Sequence, residues 1–394
     1  MKAWYVMMVF GWVVVGSMTQ AQGTREIEQA AQDAVVRLNQ IQVIGTHNSY
    51  HAGFAPSEAR LMQVKNPKAF EALDYAHRPL GEQLSSGVRQ IEIDVYADAK
   101  GGRFAHPAIT GMTATAHLPA DPELDPGHAL DKPGFKVMHV VGIDQRSTCS
   151  TFVACLTAVR TWSQTHPHHL PIFILVETKE DKPGEVLKPY AVATEPLTAA
   201  AFDALDAEIL SVFSKMEMIV PDQVRGTHAS LPEAIMAGGW PTLTEARGKV
   251  VFLLDQASVT PVYTKGHTAL QGRVLFTNAR PGTPDAAFVE QNDGTPETID
   301  ALVRQGYLVR TRTDEPTAAA RSNDTTRRNV ALQSGAQMLS TDYPASEPAR
   351  WAGHYHVAFP GNETGRCNPV NKQSACKDEL LEGSKTVPIA QSAK

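Results

Sequence analysis

Short runs of aliphatic and β-branched residues recur along the chain, each bounded by glycine, proline or polar clusters, the pattern of strands separated by loops and helices. IQVIGTHNSY (41–50) reads as a buried strand that passes at Gly45 into a polar loop delivering His47 and Asn48 side by side. Further strands are expected at 87–97, 135–140, 171–177, 249–254, 273–277, 307–311 and 336–340, which makes eight with the first. MEMIVP (216–221) is a ninth apolar run, assigned to a connection because Asp222 and Gly226 break it early. PIFILVE (171–177) is apolar throughout until its final carboxylate, as strands of a parallel sheet covered by helices are. Between strands, Phe152, Leu156, Val159 and Trp162 fall at helical spacing, and 22–40 carries Ile27, Ala30, Ala31, Val35 and Leu38 on one helical face. Strand, loop and helix in repeated order, with polar residues at successive strand ends, predict an α/β fold of the (β/α)8 TIM type, its chemistry at the C-terminal mouth.

The first residues change the picture of where the protein works. Lys2, an apolar run from Ala3 to about Val15 and small residues around Ala21 have the form of a secretory signal peptide covering 1–21. The run is shorter than the ~20 residues a membrane-spanning helix needs, so a secreted or periplasmic protein is expected. The remaining chain divides into a barrel over 22–346 and a turn-rich appendage with a polar tail over 347–394. Four cysteines in two close pairs, Cys149 with Cys155 and Cys367 with Cys376, suggest two local disulfides in an exported chain. A formal charge of −6 without long runs argues against a nucleic-acid surface but leaves a locally positive, anion-binding site open. The segment 101–133, rich in Gly, Pro and Ala, has no clear period and is expected as a long loop over the mouth carrying His106, His117 and His128.

In the strand at 87–97, Glu92 and Asp94 are two residues apart and so share a face. Two carboxylates brought together at neutral pH require a compensating cation, and hard oxygen ligands favour calcium or magnesium over zinc. Lys179, Arg280 and Arg312, near strand ends, are candidates to balance an anionic substrate.

Taken together, GTHNSY, GVRQIEID, KVMHV and IFILVE resemble the catalytic core of phosphoinositide-specific phospholipase C, and most nearly the calcium-dependent phosphatidylinositol phospholipases C of bacteria. The resemblance is specific from 42 to 177 and looser through 310–344. It implies His47 and a second histidine as catalytic groups, Asn48, Glu92, Asp94 and Glu177 as ligands of one calcium ion, with magnesium a poorer substitute, and a phospholipid substrate met at a membrane surface without a stable protein partner. His139 is the preferred second histidine because strand, loop and helix follow it in the family's order, and His106 is its rival across the long insertion. The group that takes the inositol 2-hydroxyl proton stays open between His47 and Glu92. The chain departs from eukaryotic members in that insertion and in showing no pleckstrin-like, EF-hand or C2 module. Two alternatives share some of these residues. A glycerophosphodiester phosphodiesterase or sphingomyelinase-D-like lipase also uses two histidines and an E-x-D pair, but usually lacks an asparagine at the position of Asn48. A non-catalytic binding barrel would have no use for the complete set of ligands and histidines.

Overall fold

The computed structural model describes residues 23–180, 192–314 and 317–382. The segment 1–21, expected as a signal peptide, and the end of the polar tail lie outside the described residues. Eight parallel strands close into a barrel in the order β1 (Ile41–Thr46), β2 (Gln90–Tyr96), β4 (Ile172–Thr178), β5 (Val250–Leu254), β6 (Leu275–Asn278), β7 (Ala286–Glu290), β8 (Leu308–Arg312) and β9 (Met338–Thr341), with β9 returning to β1. Two short antiparallel strands lie outside the ring, β3 (Lys136–Val137) against the end of β2 and β10 (Gly365–Cys367) against the start of β1. Almost every barrel position is buried, since inward side chains fill the interior and outward ones meet helices.

The ring differs from the expected one in a single stave. The run at 135–140 does not enter the barrel, because β2 and β4 pair with each other continuously from Gln90↔Phe173 to Val95↔Thr178 and leave no gap between them. Its place is taken by β7, a five-residue run lying just beyond the Pro281 to Pro284 turn, too short and too close to β6 to stand out in the sequence. The run at 216–221 is a connection as expected, joined to β5 by a Met218↔Val250 bridge. The first helix stops at 33 rather than continuing to 40, and Ile27 and Val35 are exposed while Val36 and Leu38 are buried. The helix Phe152–Thr165 buries Phe152, Leu156, Val159 and Trp162 as its spacing predicted.

Gly45 has a steric reason to be glycine. β1 and β2 meet at Gly45↔Gln90, and a Cβ on Gly45 would lie 1.9 Å from Gln90 Oε1. The strand therefore passes through Gly45 and ends at Thr46, one step before the site residues.

The described part of the C-terminal segment is joined to the barrel by one short strand and several side-chain contacts. β10 pairs Ile41↔Cys367 and Val43↔Gly365, the Cys367–Cys376 disulfide closes the loop behind it, and the Cys149–Cys155 disulfide joins the first turn of the helix Phe152–Thr165 to the loop before it. Glu382 accepts from Arg89 Nε at 2.9 Å at the N-terminal end of β2, where the guanidinium also lies over Trp162. The long segment 101–133 includes the helix Ala108–Thr115 and packs beside the helix Pro56–Lys65, whose first turn it caps through Asp121. It encloses its own cavity of about 690 Å³, lined by His106 and His128 among others, and none of its residues lines the cavity at the mouth. The expected cover over the mouth is thus a side wall.

Among the described residues no helix is long and apolar enough to cross a membrane.

Candidate active site

The C-terminal ends of the strands surround a cavity of about 380 Å³ lined by His47, Glu92, His139, Glu177, Lys179 and Arg312 among others. His47 comes directly after β1, and its backbone N–H continues the ladder by donating to Thr341 O at 3.0 Å. The next residue, Asn48, has φ +44°, a left-handed conformation that asparagine tolerates better than most residues. This turn buries the Asn48 side chain while its Nδ2 donates to Tyr75 Oη at 2.8 Å. Asn48 Oδ1 is left buried with no hydrogen-bond partner among the described residues.

Glu92 and Asp94 share the inward face of β2, and register places Glu177 of β4 directly beside Asp94. One oxygen from each of the three lies within 4.8 Å of the others. Lys179 answers part of this charge, its Nζ lying 2.7 Å from Glu177 Oε1 and 3.2 Å from Asp94 Oδ2. Arg310 answers another part, pairing with Glu92 directly and with Glu290 Oε1 at 3.1 Å. Burial nevertheless pushes the Asp94 carboxyl well above the usual range, with the Glu177 charge adding to the effect, and pushes Glu92 up to about 7 although Arg310 touches it. Glu290 and Asp255 are raised as well, each chiefly by burial. Three convergent carboxylates, two of them buried, together with a buried, unpartnered amide oxygen on the residue after His47, fit a hard divalent cation of the calcium type.

Each histidine of the cavity rests on a buried aspartate. His47 Nδ1 lies 2.8 Å from Asp342 Oδ1, and since an ionised carboxylate only accepts, Nδ1 carries the proton. Although burial disfavours its charge, Asp342 is held well below the usual carboxylate range by Arg312 and His47. His47 itself is lowered well below its ordinary value, first by burial and then by Arg312. It is a neutral imidazole at pH 7, with Nε2 3.6 Å from Glu92 Oε1. His139 Nδ1 lies 3.0 Å from Asp144 Oδ2, so its Nε2 is the nitrogen left for other partners.

Of the residues singled out in the sequence, His47, His139, Glu92, Glu177, Lys179 and Arg312 line the one cavity, with Asn48 and Asp94 buried against it. His106 is in the separate cavity of the 101–133 segment. Arg280 is exposed in the turn after β6 and does not line the site, whereas Arg312 reaches it through an ion pair to Asp342 at 3.3 Å. The aspartates under the two histidines, together with Tyr75 and Arg310, were not assigned these partnerships from the sequence. Only Arg310 and Asp342 carried a signal, as polar residues at strand ends.

The raised Glu92 carboxyl makes calcium affinity pH-dependent. Below pH 7 the ion-free protein holds a proton there that the cation must displace, so affinity should fall about tenfold per pH unit from this group alone and level off above pH 7. Calorimetric titration from about pH 5.5 to about pH 8 measures this. A flat profile would show that Glu92 is ionised throughout.

The closed parallel barrel thus carries two aspartate-backed histidines and convergent carboxylates at its C-terminal mouth. The model of one family, "Phosphoinositide phospholipase C, Ca2+-dependent", matches residues 36–369, and the chain belongs to that family. It is an enzyme, a calcium-dependent phospholipase C acting on phosphoric diesters. Among solved structures it is similar to the calcium-dependent phosphoinositol-specific phospholipase C from a Gram-negative bacterium, Pseudomonas sp, at 15% identity over 86% of this chain and 97% of that one, with a TM-score of 0.50, which shows a shared fold. It is also similar to a calcium-dependent phosphatidylinositol-specific phospholipase C from Streptomyces antibioticus, at 18% identity over 78% of this chain and 95% of that one, with a TM-score of 0.47. No curated relative matches the chain.

Proposed function

We propose that this enzyme cleaves phosphatidylinositol into diacylglycerol and inositol phosphate through a 1,2-cyclic phosphate, with His47 and His139 as its acid-base pair. The observation that carries the reading is that both histidines, each oriented by a buried aspartate, line one cavity with Glu92 and Glu177. Asn48, Glu92, Asp94 and Glu177 would hold the calcium ion, which when bound supplies positive charge that offsets the phosphate and lowers the pKa of the inositol 2-hydroxyl. His47, neutral because it is buried beside Arg312, accepts the proton of that hydroxyl at Nε2 as the oxygen attacks phosphorus, and Asp342 steadies the resulting imidazolium. His139 gives a proton from Nε2 to the departing diacylglycerol oxygen, while Asp144 holds Nδ1. Water then opens the cyclic phosphate with the two roles reversed. Arg312 and Lys179 stand at the cavity wall to meet the phosphate charge once the carboxylates are engaged.

The substrate belongs to a membrane surface, and the cations lining the cavity, Lys179, Arg310 and Arg312, are each paired with a carboxylate, so the unphosphorylated inositol headgroup is the expected one. Export is part of the same reading, since the leading apolar run has signal-peptide form and disulfides persist in oxidising compartments. Phosphorus NMR of the enzyme with phosphatidylinositol vesicles and calcium tests the reaction. A cyclic inositol phosphate signal that later gives way to the open monoester is expected. Phosphatidic acid, or a lipid-linked cyclic phosphate, would assign the chain to cleavage on the other side of phosphorus.

A further inference from the structure

We propose that His51 is a positioning residue for the acid of the reaction, fixing His139 through the Asp144 carboxylate that the two histidines share. The inference rests on reading His139 as the donor to the leaving group. His51 is fully buried and absent from the cavity lining, so it does not touch substrate. Its Nε2 lies 2.8 Å from Asp144 Oδ1 and 2.9 Å from Oδ2, while His139 Nδ1 takes Oδ2 at 3.0 Å. The two rings stand nearly edge-on, with centroids 5.9 Å apart.

A carboxylate that accepts a single bond from a half-buried histidine is free to turn about its terminal torsion, which is broad and roughly two-fold. The second N–H, nearly equidistant from both oxygens, fixes the plane of Asp144 and aims the Oδ2 lone pair at His139. His139 is thereby held in the tautomer that leaves Nε2 toward the cavity. Asp144 stays ionised despite its burial because His51 and then His139 support its charge.

The backbone around His51 gives this arrangement its rigidity. His51 forms a β-bridge with Ser147, which ties the loop after β1 to the loop that carries Asp144. Its N–H donates to Asn48 O at 2.8 Å and its carbonyl accepts from His77 N at 2.8 Å. Its ring packs on Tyr75 at 4.6 Å, the same tyrosine that orients the Asn48 amide. One buried histidine therefore stands between the orientation of the acid and that of a calcium ligand.

Leaving-group dependence separates positioning from general support of the fold. On phosphatidylinositol, His51→Phe, which keeps a ring against Tyr75 but has no N–H, is expected to lower kcat about 10–100-fold with KM little changed, and His51→Gln, which retains one donor, should recover part of the loss. On an analogue whose diacylglycerol oxygen is replaced by an aryl oxygen of low pKa, departure needs no proton, and His51→Phe should run close to wild type. Asp144→Asn, which keeps the shape of the side chain, should show the same dependence and carries the test if His51→Phe does not fold. Equal impairment of these variants on both substrates, or no impairment on phosphatidylinositol, overturns the proposal. His139→Ala serves as the control. Its rescue by the aryl analogue without rescue of His51→Phe and Asp144→Asn rejects the positioning role alone, whereas its failure to be rescued rejects the acid assignment and the role of His51 with it.

Discussion

Replacing either His47 or His139 with alanine should lower turnover of phosphatidylinositol by ~10²–10⁴-fold, the range in which a positioned acid or base contributes. The two losses should not multiply in the double variant, because proton removal and proton donation serve one displacement at phosphorus and each is of little use without the other. His106→Ala should lose far less, since His106 lines the cavity enclosed by the 101–133 segment and not the one at the barrel mouth. Steady-state kinetics on vesicles, with circular dichroism to show that the fold persists, measures all four proteins. Should His106→Ala be the more damaged variant and His139→Ala nearly intact, the acid would have to be sought on the side wall, and the cavity described above would not be the complete active site.

Removing calcium should abolish turnover, and calcium should restore it better than magnesium. The reason lies in the charge of the mouth. Glu92, Asp94 and Glu177 converge within 4.8 Å, and two of them are pushed upward by burial even with Lys179 and Arg310 alongside. Magnesium demands near-ideal octahedral geometry and gives up water reluctantly, whereas calcium accepts an irregular set of carboxylate and amide oxygens. A readout independent of catalysis is available, because an ion bound only by the folded state raises the unfolding temperature. Calcium should therefore stabilise the wild-type protein, and the increment should shrink in Asp94→Asn. Full activity in excess chelator would mean that Lys179 and Arg310 already supply the cation that the reaction needs.

The sequence determined most of the barrel and the centre of the site, because both depend on short-range periodicity. Seven of the eight staves were legible as short runs rich in aliphatic residues, continuous in Val250–Leu254 and most of Ile172–Thr178 and alternating with polar residues in Gln90–Tyr96, because burial in a parallel sheet imposes apolar positions whatever the neighbouring strand is. A period of two placed Glu92 and Asp94 on one face, and the end of an apolar run marked Glu177 as a strand-end carboxylate. His47 and Asn48 followed from the first strand for the same reason. The paired cysteines needed only closeness in the chain.

What the tertiary structure decided lies where no period exists or where the partners are remote. The choice between His139 and His106 falls in an irregular stretch of chain, and only packing sends one to the barrel mouth and the other to a side cavity. Arg310 and Arg312 point inward because they lie two apart on β8, whereas Arg280 stands beyond the end of β6 in an exposed turn, a distinction that hangs on where the strand stops. The stave at Ala286–Glu290 emerged only when closure of the ring left no room for the run at 135–140. The aspartates that orient the histidines were hidden for a similar reason. His47 and Asp342 are 295 residues apart, at the ends of the first and last staves, and become neighbours only because β9 closes against β1. Local pattern fixes which side chains face inward, but the closure of the barrel chooses their partners.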